Sequence, residues 1–206
     1  MKNRYIKLIF ALFTFIIVGN IQAQDNRTID TKVADILAQF PTKNYKHSDK
    51  LSQKIIDLGE VGFTHFIKLL VPQGKGNDTQ VRYALESLAV FAGRPGSEEN
   101  SNFVEKNLLK AIEGSSNNEV KLFLIRRLNY CASDVSLTVL GNLIPTETVT
   151  SAAIGVITSV GSNSAGETLL KHINNSNPKI QQQVVQAIGT IKYRGSVSEV
   201  TNLVAS

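Results

Sequence analysis

Four stretches of the chain repeat one hydrophobic pattern, anchored on Val81, Val120, Val149 and Ile180 at intervals of 39, 29 and 31 residues. Self-similarity at such a period marks stacked supersecondary units, none of which can bury its apolar face alone. Four residues after each anchor come Leu85, Leu124, Ala153 and Val184, and eight after come Ala89, Leu128, Ile157 and Ile188. Eleven after come Ala92, Cys131, Val160 and Ile191. Offsets 0, 4, 8 and 11 trace one stripe of an amphipathic helix. The residue after each anchor, Arg82, Lys121, Thr150 or Gln181, falls off that stripe and is expected in water.

A second apolar run follows each of these helices, over 103–112, 135–144, 165–173 and 197–204, so each unit reads as a helix pair. An earlier pair over 51–58 and 61–71 follows the same scheme, and 29–40 reads as a further helix covering the N-terminal face. Start and stop signals agree. Asn177-Pro178 has the form of an N-cap with proline at the first helical position, and Thr146-Glu147 and Asp78-Thr79 offer similar caps. Gly93 and Gly161 each lie twelve residues after an anchor, where a helix C-terminus favours a residue tolerant of positive φ. No alternating, turn-bounded run predicts a strand. The expectation is an all-α chain, an α-solenoid of about five helix pairs over 49–206, preceded by a helix and linker over 24–48.

The residues resemble the HEAT repeats in their short form. Val81-Arg82, Val160-Gly161 and Ala187-Ile188-Gly189 carry the likeness, while Arg127 stands where that family favours alanine. The resemblance implies a right-handed superhelix with first helices on the convex side and second helices on the concave side. Two segments, 78–85 and 92–96, are also similar to stretches of secreted bacterial proteins whose helical repeats precede a lectin-like jelly roll of the 3-keto-disaccharide hydrolase kind. That likeness implies an accessory role beside a carbohydrate-processing domain and transfers no catalytic residue.

The first residues predict where the protein works. Lys2, Arg4 and Lys7 precede an apolar stretch over 8–18 and the segment Gly19-Asn20-Ile21-Gln22-Ala23. These are the charged, hydrophobic and cleavage regions of a secretory signal, with a cut after Ala23 and a periplasmic or secreted product without an integral membrane anchor. The first 23 residues hold three of the 22 basic residues and none of the 17 acidic ones, leaving 19 against 17, or +2. So balanced a surface speaks against nucleic-acid binding, which needs clustered positive charge.

No catalytic constellation emerges, and neither an enzyme nor a cofactor is expected. Cys131 is the single cysteine, lies on an apolar stripe and has no nearby base, so it reads as a small buried hydrophobe. His47, His65 and His172 fall in separate units, and Glu60 and Glu167 lie five residues from His65 and His172 rather than at helical ligand spacing. The loop 72–77 around Lys75 has glycines but lacks the spacing of a phosphate loop. Two features remain as candidate partner-binding positions. One is the pair of loops carrying Lys75, Arg94 and Glu98, of which 93–100 accounts for the long first interval, since insertions in solenoids map to one face. The other is the cluster Arg126, Arg127 and Tyr130, rich in the residue types that dominate binding hot spots. An arginine at position 127 most often lays its stem over apolar surface and pairs with an acidic neighbour. The function implied is a scaffold for a protein partner or an adjacent domain, with carbohydrate as the rival ligand. Five scattered tyrosines and the absence of tryptophan argue against sugar stacking.

Overall fold

Helical periodicity governs the structure, a computed structural model that describes residues 27–205, with side chains through 202. The described residues form eleven α-helices and two 3-10 turns, with no strand among them. Helix α1 (Ile29–Leu37) precedes ten more, which the units expected from the sequence take two at a time: α2 (Tyr45–Asp57) and α3 (Gly59–Lys68), α4 (Thr79–Ala92) and α5 (Glu98–Gly114), α6 (Asn118–Leu128) and α7 (Leu137–Leu143), α8 (Thr150–Val160) and α9 (Asn163–Leu170), and α10 (Pro178–Ile191) and α11 (Val197–Ala205). The 3-10 turns Asp134–Ser136 and Arg194–Ser196 lead into α7 and α11. The predicted signal segment lies outside the described residues. Among those described, no helix is long and apolar enough to cross a membrane.

The repeat columns build the core. All four anchors are buried, as are the residues four and eight positions on. The last column erodes along the chain: Ala92 and Cys131 are buried, whereas Val160 and Ile191 are only partly so. First helices pack in succession, α2 on α4, α4 on α6, α6 on α8 and α8 on α10, while α3 packs on α5 and α7 on α9. Helix α1 packs against α2, α3 and α4, placing Val33 and Ile36 in the same continuous core. Each fully buried leucine or phenylalanine on such a seam contributes about 1.5–3 kcal/mol relative to exposure.

Several local expectations are corrected. Thr150 is buried rather than solvated, because its hydroxyl donates to the Ile144 and Thr146 carbonyls at 2.7 and 2.9 Å, satisfying the group without water. Thr146 caps no helix; α8 begins only at Thr150. Asp78 holds the N-cap position of α4, but its carboxylate is engaged elsewhere and makes no cap hydrogen bond. Asn177 and Pro178 behave as expected, the Asn177 side chain accepting from the Lys179 N–H at 3.0 Å. Gly161 has the positive φ of 65° that a helix stop favours. Gly93 does not, at −78°; glycine is needed there because a Cβ would meet the Tyr130 carbonyl oxygen at 2.0 Å. Cys131 follows the end of α6 instead of lying within it.

The long first interval is not a long loop. Only residues 93–97 separate α4 from α5, and the additional length is spent on α5, 17 residues long where α7 has 7 and α9 has 8.

Candidate functional site: a polar seam and a lysine-rimmed groove

Units two and three meet along two ridges of four-residue spacing, Asp78 at the N-cap of α4 with Arg82 and Glu86 within it, against Glu119, Phe123 and Arg127 on α6. Arg82 donates from Nε to Asp78 at 2.8 Å and from Nη2 to the Val71 carbonyl at 2.9 Å. Its guanidinium carbon lies 4.7 Å from the centre of the Phe123 ring, and that of Arg127 lies 4.8 Å from the same centre. Arg127 forms an ion pair with Glu86, which also accepts from the Tyr130 hydroxyl at 3.0 Å. Glu119 accepts from the Gln73 N–H at 2.8 Å. Partial burial pushes the Asp78 carboxyl up, but the hydrogen bonds from Arg82 and from the Val71 N–H, with the Arg82 charge, outweigh it and hold the group below its ordinary range. The arginines thus spend their charge within the protein.

The six sequence-predicted positions therefore divide. Arg127 and Tyr130 come together on Glu86, tying unit three to unit two rather than presenting a vacant patch. Arg126 is exposed. Lys75 is exposed in the connection between α3 and α4, beside Gly74 at φ 78°. Glu98 belongs to the first turn of α5, where a carboxylate suits the helix dipole, and not to a loop. Arg94 donates through both terminal nitrogens to the Asp49 carboxylate on α2, each at 2.8 Å, so this loop residue is pinned to the preceding unit. Among the described residues, neither Lys75 nor Arg94 forms a hydrogen bond or ion pair with the other or with the Arg127 cluster.

A groove of about 430 Å³ opens between α3 and α5. Phe63, Ile67, Leu70 and Val120 supply apolar surface; Thr64, Asn107, Ser115 and Asn117 supply hydroxyls and amides. Phe63 meets Phe103 edge to face at 6.2 Å, bracing the two helices. Among the described residues, the charged ones lining the groove are Lys68 on α3 and Lys110 on α5. Lys110 stands 3.8 Å from Glu60, whose other oxygen is taken by Lys106. The hydrogen bond and charge of Lys106, with the charge of Lys110, hold the Glu60 carboxyl below its ordinary range. Asn107 is buried, one amide hydrogen donating to the Phe103 carbonyl at 2.8 Å. No local sequence pattern marks this site. Its available signal was Lys106 and Lys110, one helical turn apart on the helix that absorbs the long interval.

Glu105 was also missed. This buried carboxylate on α5 accepts from the Ser133 N–H at 2.7 Å, the Ser133 hydroxyl at 2.8 Å and the Ser136 hydroxyl at 2.6 Å. It thereby caps the 3-10 turn of the next unit, a favourable place for negative charge. The Ser162 hydroxyl, capping α9, in turn donates to Asp134 at 2.6 Å. Cys131 lies within the field of Glu105; burial first, and that charge second, push its thiol up to about 12. His65 contacts Asp30 at 2.7 Å, and burial followed by the Lys171 charge lowers His172. Among the described residues no group of three or more histidine, cysteine or acidic side chains is placed to hold a metal ion.

No family model matches the chain, and no curated protein matches it. Two crystal structures of engineered proteins are similar to it. One is 18% identical with a TM-score of 0.43, over 78% of this chain and 79% of the other. The second is 17% identical with a TM-score of 0.41, over 78% of this chain and 47% of its own length. Neither likeness bears on function.

Proposed function

We propose that this protein is an exported scaffold, a right-handed solenoid of five HEAT-like helix pairs that presents its surface to a protein partner or an adjacent domain. One observation carries the reading: successive first helices from α4 to α10 pack on one another and bury the same apolar columns, so the units are joined neighbour to neighbour. Export rests on the charged, apolar and small-residue succession of the first 23 residues. The charged side chains of the α4–α6 seam are consumed internally, which favours a structural part for that seam and leaves other surfaces for recognition.

The test is photo-crosslinking in cells from exposed positions 75 and 126, with the folding-defective Leu124→Asp chain as control. The expected result is one recurring protein adduct, rebuilt from purified components and absent from the control. Adducts that persist in the control, or none from either position, would overturn the partner-binding reading. Recovery of a saccharide in place of a protein would favour the carbohydrate-accessory role instead.

A further inference from the structure

We infer that the groove between α3 and α5 receives an extended acidic peptide, with an apolar side chain on its floor and a neighbouring Asp or Glu carboxylate held between Lys68 and Lys110. The inference deepens the scaffold reading and rests on it. Charge complementarity identifies the occupant. One lysine from each of the two helices lines the groove, and among the described residues no carboxylate lines it with them. Lys110 has Glu60 at 3.8 Å, but that carboxylate is shared with Lys106, and both lysine side chains are about 70% exposed. An exposed pair of that kind contributes about 0–1 kcal/mol, so Lys110 can turn to a ligand at little cost. Glu60 then keeps Lys106.

The rest of the lining selects a peptide over other anions. Its volume lies within the range of pockets that enclose small ligand groups. A short fatty acid would satisfy the lysines and the apolar floor, yet would set its alkyl chain against the amides of Asn107 and Asn117, which spend only part of their hydrogen-bonding capacity within the protein, on the Phe103 carbonyl and on the Glu119 and Val120 N–H groups. A peptide backbone brings alternating N–H and C=O groups to those same side chains. A sugar acid would waste the apolar floor. The length of α5 makes the site: Lys110, Ala111 and Gly114 belong to its last two turns, which α7 and α9 do not have the length to reproduce.

Fluorescence anisotropy on the folded chain tests the assignment. The probe is a pool of fluorescein-labelled nonapeptides alternating Asp or Glu with Leu, Ile or Phe, and the control pool carries Asn or Gln at the acidic positions. The expected preference for the acidic pool is at least tenfold and declines as salt is added. Lys68→Glu with Lys110→Glu should abolish it and create a preference for a pool bearing Lys at the same positions, a gain that a misfolded variant cannot give. Amide resonances shifted by the acidic pool should be confined to residues 63–72 and 107–120. Equal binding of acidic and neutral pools, no binding at millimolar peptide, insensitivity to the double substitution, or shifts elsewhere would each overturn the proposal. Octanoate binding as tightly as the acidic pool would overturn it in favour of a small carboxylate. The crosslinking from positions 75 and 126 reads surfaces outside the groove, so the scaffold reading can survive this failure and can fail while the groove still binds.

Discussion

The α4–α6 seam and the α3–α5 groove are built by neighbouring helices of units one to three, yet they treat charge in opposite ways. In the seam, Asp78, Arg82, Glu86 and Arg127 neutralise one another around the Phe123 ring. In the groove, two lysines rim an apolar floor with no lining carboxylate among the described residues. Stacking can use a charge that is matched within the protein; recognition needs one that is not. The contrast predicts that substitutions on the first-helix side change stability, and that substitutions at the groove change binding alone.

The largest effect should come from Leu124→Asp. Leu124 is fully buried on α6, and an unpaired carboxylate there costs at least several kcal/mol. Loss of the cooperative thermal transition, followed by circular dichroism, is expected; a native-like melt would remove the stacking argument. Glu105→Ala comes next. It strands the donors of Ser133 and Ser136, and about 3 kcal/mol of destabilisation in urea titrations is expected. Gly93→Ala follows, at about 1–3 kcal/mol, because its Cβ must displace the Tyr130 carbonyl and the end of α6 with it.

A smaller effect should follow pH. Asp78 titrates below its ordinary range in the folded chain, so its contribution is present above the unfolded value of about 4 and is lost as pH falls through the folded one. Stability of the wild type should decline in that acid window, and Asp78→Asn should flatten the decline. An unchanged acid limb in the variant would remove Asp78 from the seam's energetics. The smallest effect belongs to Lys68→Ala, on an exposed position of the groove rim, expected within about half a kcal/mol. A larger loss would mean that the groove lysines are structural after all, and the contrast between the two regions would collapse.

The seam was half legible in the sequence and the groove was not. Apolar columns at offsets 0, 4 and 8 are a one-dimensional signal, and they placed the buried faces of the first helices correctly. Arg127 announced itself by intruding where a small residue was expected, but its partner Glu86 lies 41 residues earlier, a pairing that no local pattern states. Glu105 and Asn107 were read past, because a polar residue inside an amphipathic run ordinarily faces water. The extra residues of unit two were visible as an interval of 39, and glycine and proline at 93–96 suggested a loop. The chain instead closes that turn in five residues and lengthens α5, so the insertion became the wall of a groove. A binding cleft depends on which charges lack partners across helices, a three-dimensional property that residue spacing does not encode.

Cys131 gives the molecule a gauge of its own motion. A thiol held up to about 12 and shielded beneath the end of α6 is almost wholly protonated and out of reach at neutral pH. Alkylation must then wait until unit three opens. If closing outpaces chemistry, the ratio of the labelling rate in the folded protein to that of a free thiol measures the opening equilibrium of this one unit. No probe need be engineered, since the chain contains no other cysteine. Recorded with and without an occupant in the groove, the same clock would report whether grip at α5 is felt one repeat further along.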